Sequence, residues 1–121
     1  MVQIVKQPTI IHAEGSRPKL IEEFIGNINT GTAQVSIARM DASEGWVEPG
    51  QTPAFDEYTL VLGGTLTVET LEGSTQVTAG QAVIARAGEW IRYSATGPGG
   101  AQYVAVCLPG FHPGLVHRDP A

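Results

Sequence analysis

The sequence predicts an all-β domain, closed as a barrel or packed as a two-sheet sandwich, with a short C-terminal tail. Three observations predict it. Glycines and prolines punctuate the chain every eight to twelve residues or so, the usual spacing of short strands and turns. The segments between them are rich in Val, Ile, Thr and Tyr, which suit a pleated, half-buried surface. No stretch carries an amphipathic helical period of useful length. About ten strands in one domain must close on themselves or stack as two sheets, because open edges invite pairing with other chains.

The elements follow in chain order. N-terminal strands fall within residues 1–29, with one at 20–25, and His12 reads as a strand histidine at a surface or interface. The barrel core spans about 30–108, with strands at 33–40, 57–62, 65–71, 75–78, 82–85, 90–95 and 102–108. Trp46 sits in a loop-like stretch between Gly45 and Val47, where it would guard a mouth. Gly63-Gly64 reads as a two-residue hairpin turn, since only glycine reaches positive φ at both positions without strain. Glu72-Gly73-Ser74 turns the chain again. In the tail, 109–121, Pro113 opens a short helical turn carrying Leu115 and Val116; with Phe111 these apolar side chains are a reason for the tail to dock. Residues 59–62 are apolar at both parities, so this strand expects cover on both faces. The barrel interior is one cover, and a second copy of the chain, in a homodimer, is the expected other.

Composition narrows the function. With 121 residues, 42% hydrophobic and 16% charged, the chain is long enough for one packed core and belongs with ordinary globular proteins. A net charge of −5 with only 7 Lys and Arg, and no basic run, argues against a nucleic-acid surface, which needs clustered cations. No run approaches the roughly 18 apolar residues of a spanning helix. The first residues lack the pattern of a signal peptide, so a cytoplasmic location is expected. The lone Cys107 cannot form an internal disulfide and reads as a buried thiol.

Asp56-Glu57, an apolar run and Gly63-Gly64 form a frame that resembles the first motif of the cupins, in which Glu57 and Gly64 keep the family interval from carboxylate to glycine. With Gly45 as that motif's first glycine, Gln51 and Pro53 stand where two histidines would be. Gly80 and Gly88 fit the second motif, with Arg86 in place of its proline and Ile91 where its histidine would stand. The resemblance covers about residues 30–108 and implies a double-stranded β-helix, or jelly-roll barrel. Within the family, Phe55-Asp56-Glu57 followed by a glycine turn is similar to histidine-poor members of the ethanolamine-utilisation type.

The resemblance implies a metal held by three imidazoles and a carboxylate, a set suited to first-row transition metals. Of that set only Glu57 is present, so no metal and no cofactor is expected. The three histidines, His12, His112 and His117, lie outside the motifs. His117 approaches the pocket only if the tail folds across a barrel mouth.

The expected site is therefore metal-independent. Strand alternation puts Thr59 and Val61 on the face of Glu57, and Asp56 and Tyr58 on the other. The same parity turns Ile91 and Tyr93 inward, with Tyr103, Ala105 and Cys107 joining from the last strand. The strand of Arg39 can be read in either phase. Glu57, Tyr93 and Tyr103 are the candidate catalytic residues: the carboxylate moves a proton and a phenol donates to a developing oxyanion. Arg39, Gln51, Trp90, Ile91, Arg92 and His117 are the candidate ligand contacts. The expected function is binding of a small oxygenated or anionic metabolite. An isomerase or lyase (dehydratase or decarboxylase) using Glu57, and a ligand-sensing module without chemistry, are the alternatives.

Overall fold

The computed structural model describes residues 1–120. Nine strands and one short helix follow in order: β1 (Thr9–His12), β2 (Lys19–Ile25), β3 (Ser36–Ala42), β4 (Trp46–Val47), β5 (Asp56–Thr70), β6 (Gly73–Thr78), β7 (Ala82–Ala85), β8 (Arg92–Ala95), β9 (Ala101–Leu108) and α1 (Pro113–Val116). All strand pairs are antiparallel, in the order β1-β2-β3-β9-β5-β8-β4, with β6 and β7 also pairing with β5. The non-consecutive neighbours β3, β9 and β5 are the signature of a curled jelly roll, in which distant segments close the sheet.

The long strand β5 is the hinge of this architecture. Its first half pairs with β9 and β7, its second half with β6 and β8. Gly63-Gly64 is not a hairpin turn; the strand continues through it. Gly63 pairs with Gln102 and Gly64 with Ala101, after a bulge that follows Val61. Gly64 has φ +69, and a Cβ there would overlap the Gly100 carbonyl oxygen. The glycine pair thus serves a mid-strand bulge that re-aims the strand from one sheet to the other. Local sequence cannot separate the two uses, because both demand positive φ.

Alternation along β5 and β9 is as the sequence predicts. Thr59 and Val61 are buried while Leu60 and Leu62 face out, and Tyr103, Ala105 and Cys107 are all buried. Pairing with β9 also settles β3: Arg39 lies opposite Val104, on the outer face, and Ser36 and Ala38 point in.

The core has two parts. The larger includes Trp46, Val61, Leu66, Val68, Ile91, Tyr93 and Tyr103. Trp46, expected at the mouth, is fully buried in it and its indole N–H donates to the Glu14 carbonyl at 3.0 Å. Pairing of Trp46 with Ala95 in the two-residue strand β4 carries it inward. The smaller part, Phe55, Cys107 and Val116 with Phe111 and Leu115 against them, is made by the docked tail. Its backbone is stitched to residues 50–54: Thr52 N–H donates to the His117 carbonyl, Ala54 N–H to that of Leu115, and Asp119 N–H to that of Gly50. No helix among the described residues is long and apolar enough to cross a membrane.

Candidate functional site

Members of both core parts line a cavity of about 350 Å³ inside the barrel. β5 places Glu57 there by strand parity. Its Cα partner across the ladder is Cys107, whose thiol donates to Glu57 Oε2 at 3.6 Å. The other carboxylate oxygen, Oε1, is buried with no protein partner, and so are the hydroxyls of Tyr93 and Tyr103. Desolvation, and after it the neighbouring carboxylates, hold both phenols well above the usual tyrosine range. Both are therefore neutral O–H donors at physiological pH.

Two further charged groups line the cavity, and sequence reasoning missed them. Lys19, at the start of β2, is buried with 8% exposure. Its Nζ sits 4.1 Å from the centroid of the Trp46 ring and 5.2 Å from that of Tyr103, a cation over two aromatic faces. Burial lowers its pKa, against the pull of Glu48 and Glu57. Glu48, just after β4, is half-buried, and desolvation raises its carboxyl to about 7 even though Lys19 acts to lower it. Its Oε2 accepts from the Tyr93 backbone N–H at 3.4 Å. A lysine pushed down and a carboxyl pushed up, facing one cavity, have their proton affinities drawn towards each other, as in sites that move protons. The sequence signal was faint: Lys19 follows Pro18 in a polar stretch, and its inward phase depends on the pairing of β2 with β3.

Gln51 also lines the cavity. Its backbone forms a bridge to Ile91, each N–H donating to the other's carbonyl at 2.9 Å. The two positions where family motifs would carry histidines thus do face each other. Ile91 packs into the larger core and is not part of the cavity wall.

The other sequence candidates lie elsewhere. Arg39 pairs with Glu22 at 3.2 Å on the outer face. Arg92 is held bidentately by Glu69 at 2.8 and 2.9 Å. The Trp90 indole donates to Asp119 at 2.8 Å and braces the tail. His117 caps α1 with φ 48 and an exposed side chain. The tail brings its neighbour Arg118 to the cavity instead. Glu23 also reaches the cavity, but its Oε2 is satisfied by the N–H groups of Ile28 and Asn29 at 3.0 and 2.8 Å, which makes it a loop brace. Burial, then Glu57, push the Cys107 thiol up, away from nucleophilic use at neutral pH.

The donor set does not fit the metal of the usual barrel. Among the described residues no group of three or more His, Cys, Asp or Glu is arranged to hold an ion. An amide, an aliphatic side chain and one carboxylate at the motif positions offer too few and too hard ligands for a transition metal.

No family model matches the chain. It is 38% identical over 118 residues to endoribonuclease YbeY of Myxococcus xanthus, an alignment that covers 98% of this chain and 39% of that protein. The chain thus spans about two fifths of that relative's length. Among solved structures, the polyketide cyclase RemF of Streptomyces resistomycificus superposes with a TM-score of 0.73 at 16% identity, covering 100% of this chain and 87% of that one. The EutQ protein of Clostridium difficile gives 0.65 at 19% identity over 78% of this chain and 65% of its own. By its strand order, its bulged β5 and these superpositions, the chain shares the curled antiparallel barrel fold of these neighbours.

Proposed function

We propose that the barrel binds a small oxygenated, anionic metabolite in this cavity without a metal. The observation that carries the reading is the group of three buried polar atoms with no protein partner, Glu57 Oε1, Tyr93 OH and Tyr103 OH, around one space. Buried polar groups are almost always hydrogen-bonded, so three together describe a ligand that donates to the carboxylate and accepts from two phenols. Lys19 and Arg118 add positive charge to the same cavity. A ligand carrying a carboxylate and a hydroxyl or carbonyl oxygen meets all of these, and 350 Å³ lies within the range of small-molecule sites.

The opposed displacement of Lys19 and Glu48 favours a second, finer reading: a metal-independent isomerase or lyase in which Glu57 and these two groups move protons while the phenols stabilise an oxyanion. RemF, named as a cyclase, shows that this fold can host chemistry; the likeness extends no further. The lone reduced thiol of Cys107 is in keeping with a cytoplasmic home. The ribonuclease name of the longer relative finds little support here, given the −5 charge.

A thermal-shift screen of small hydroxy and oxo acids tests the proposal, with Glu57→Gln as control. Binding that Glu57→Gln weakens, without turnover in either protein, supports a sensor or carrier. Turnover lost with affinity kept marks Glu57 as a proton carrier. If no acid in the screen raises the melting temperature, the proposal falls.

A further inference from the structure

The least explained group in the cavity is the ammonium of Lys19. Lysines are almost never buried without a charge partner, yet Lys19 is in none of the salt bridges among the described residues. Two ring faces hold it, and it faces the cavity. β2 fixes the backbone, pairing Lys19 with Ala42, and the Trp46 ring it sits over is fully buried in the core. A buried primary amine that makes no salt bridge among the described residues, held over aromatic rings in a cavity that acids and phenols also line, is the arrangement of a carbonyl-condensing lysine.

We infer that Lys19 forms an imine with a small oxo acid bound in the cavity, whose carboxylate is met by Arg118. This deepens the ligand class proposed above and rests on that reading. The steps balance without any further reactant. The Nζ lone pair attacks the carbonyl carbon while the carbonyl oxygen takes a proton, giving a carbinolamine. Loss of that oxygen as water, with a second proton delivered to it and the N–H protons released to the cavity bases, leaves C=N. Glu48, whose carboxyl is raised to about 7 and so keeps part of its protons near neutral pH, is a proton source in the same cavity. Burial favours the free amine that must begin the attack. The protonated imine is again a cation over the Trp46 ring, with the carboxylate of Glu57 in the cavity to balance it.

The chain suits a direct test, because it has only two lysines, Lys6 and Lys19, and two tryptophans, Trp46 and Trp90. The parent protein, whose Trp90 brace on the tail is intact, and Trp90→Phe, which leaves Trp46 as the sole emitter, are each incubated with glyoxylate or pyruvate, and the adduct is judged in the parent. Emission is followed, cyanoborohydride is added, and the peptides are mapped by mass. The expected result is a saturable change in Trp46 emission and a reduced adduct on Lys19 that forms at least tenfold faster than on Lys6. The Lys19→Arg variant, which keeps the cation, should lose the adduct at residue 19. A saturable emission change with Lys19 labelled no faster than Lys6, for both oxo acids, overturns the imine and leaves acid binding standing. Neither an emission change nor a Lys19 adduct overturns the imine together with the ligand class beneath it.

Discussion

Glu48 and Glu57 face the same cavity but differ in what they can do. Glu57 is anchored by the Cys107 thiol on one oxygen and offers the other to a ligand. Glu48 owes its displaced pKa to desolvation, with the charge of Glu57 adding to it and Lys19 and Arg118 opposing it. A carboxyl whose folded pKa is raised holds its proton longer in the folded than in the unfolded chain. Its penalty on stability is thus absent below the unfolded value of 4.5 and grows as pH rises towards about 7. Glu48→Gln should be more stable than the parent above pH 7, by on the order of 2 kcal/mol after discounting for half-burial, and equal to it below about pH 4. Urea unfolding at several pH values measures this; a difference independent of pH would remove desolvation of Glu48 as the cause. Tyr103→Phe keeps the ring beneath Lys19 and removes one unpartnered hydroxyl. It should leave stability unchanged or slightly raised, and weaken an oxo-acid ligand by about tenfold in calorimetric titration, the worth of one good hydrogen bond.

At the scale of elements, β5 and the tail decide where the site is. The bulge at Gly63-Gly64 turns one strand into a member of two sheets, so that Glu57 and Val68 belong to opposite walls of one barrel. Gly64→Ala meets both a positive φ and the Gly100 carbonyl. It should cost about 2 kcal/mol or more, read from the urea midpoint. The tail covers Phe55 and Cys107 with Val116, Phe111 and Leu115. The Phe55 and Phe111 rings lie 5.9 Å apart. Truncation after residue 109 uncovers an apolar cluster worth roughly 3 kcal/mol or more at the usual value per buried side chain. The melting temperature should fall, and Cys107 should become reactive towards a thiol reagent that leaves the full chain untouched. Unchanged reactivity would mean that the tail does not seal this end.

The whole molecule presents a face that a free monomer rarely shows. Leu60 and Leu62 of β5, Ile84 of β7 and Leu108 of β9 are 42–55% exposed on the outside of the barrel. Leu60 lies opposite Val104 and Ala82 in the ladder, which extends the apolar surface across three strands. This is the outward half of the strand segment whose two parities are both apolar. We propose that a second copy of the chain covers it. Sedimentation equilibrium should report a dimer, and Leu60→Lys with Ile84→Lys a monomer that keeps its fold. A monomeric parent at micromolar concentration would reject the interface. Elemental analysis of protein purified without chelator should find far less than one transition-metal ion per chain; a stoichiometric ion would require ligands other than those at the motif positions.

The all-β class, the inward and outward alternation of β9 and of β5 before its bulge, the inward set of Glu57, Tyr93 and Tyr103, and the docked tail were legible in the residues themselves. Each depends on a local rule: punctuation by glycine and proline, alternation with period two, or an apolar terminus that seeks cover. Three things were decided only by tertiary structure. The Gly63-Gly64 pair became a bulge because β9 and the turn at Gly100 press against it. Arg39, Arg92 and Trp90 were drawn outward by Glu22, Glu69 and Asp119, partners 17, 23 and 29 residues away in sequence. Lys19 entered the site from a segment with no motif, and Glu48 from a position between Gly45 and Gln51 to which the motif assigns no role, because burial and charge depend on what surrounds a group in space, and sequence order carries no record of that surrounding.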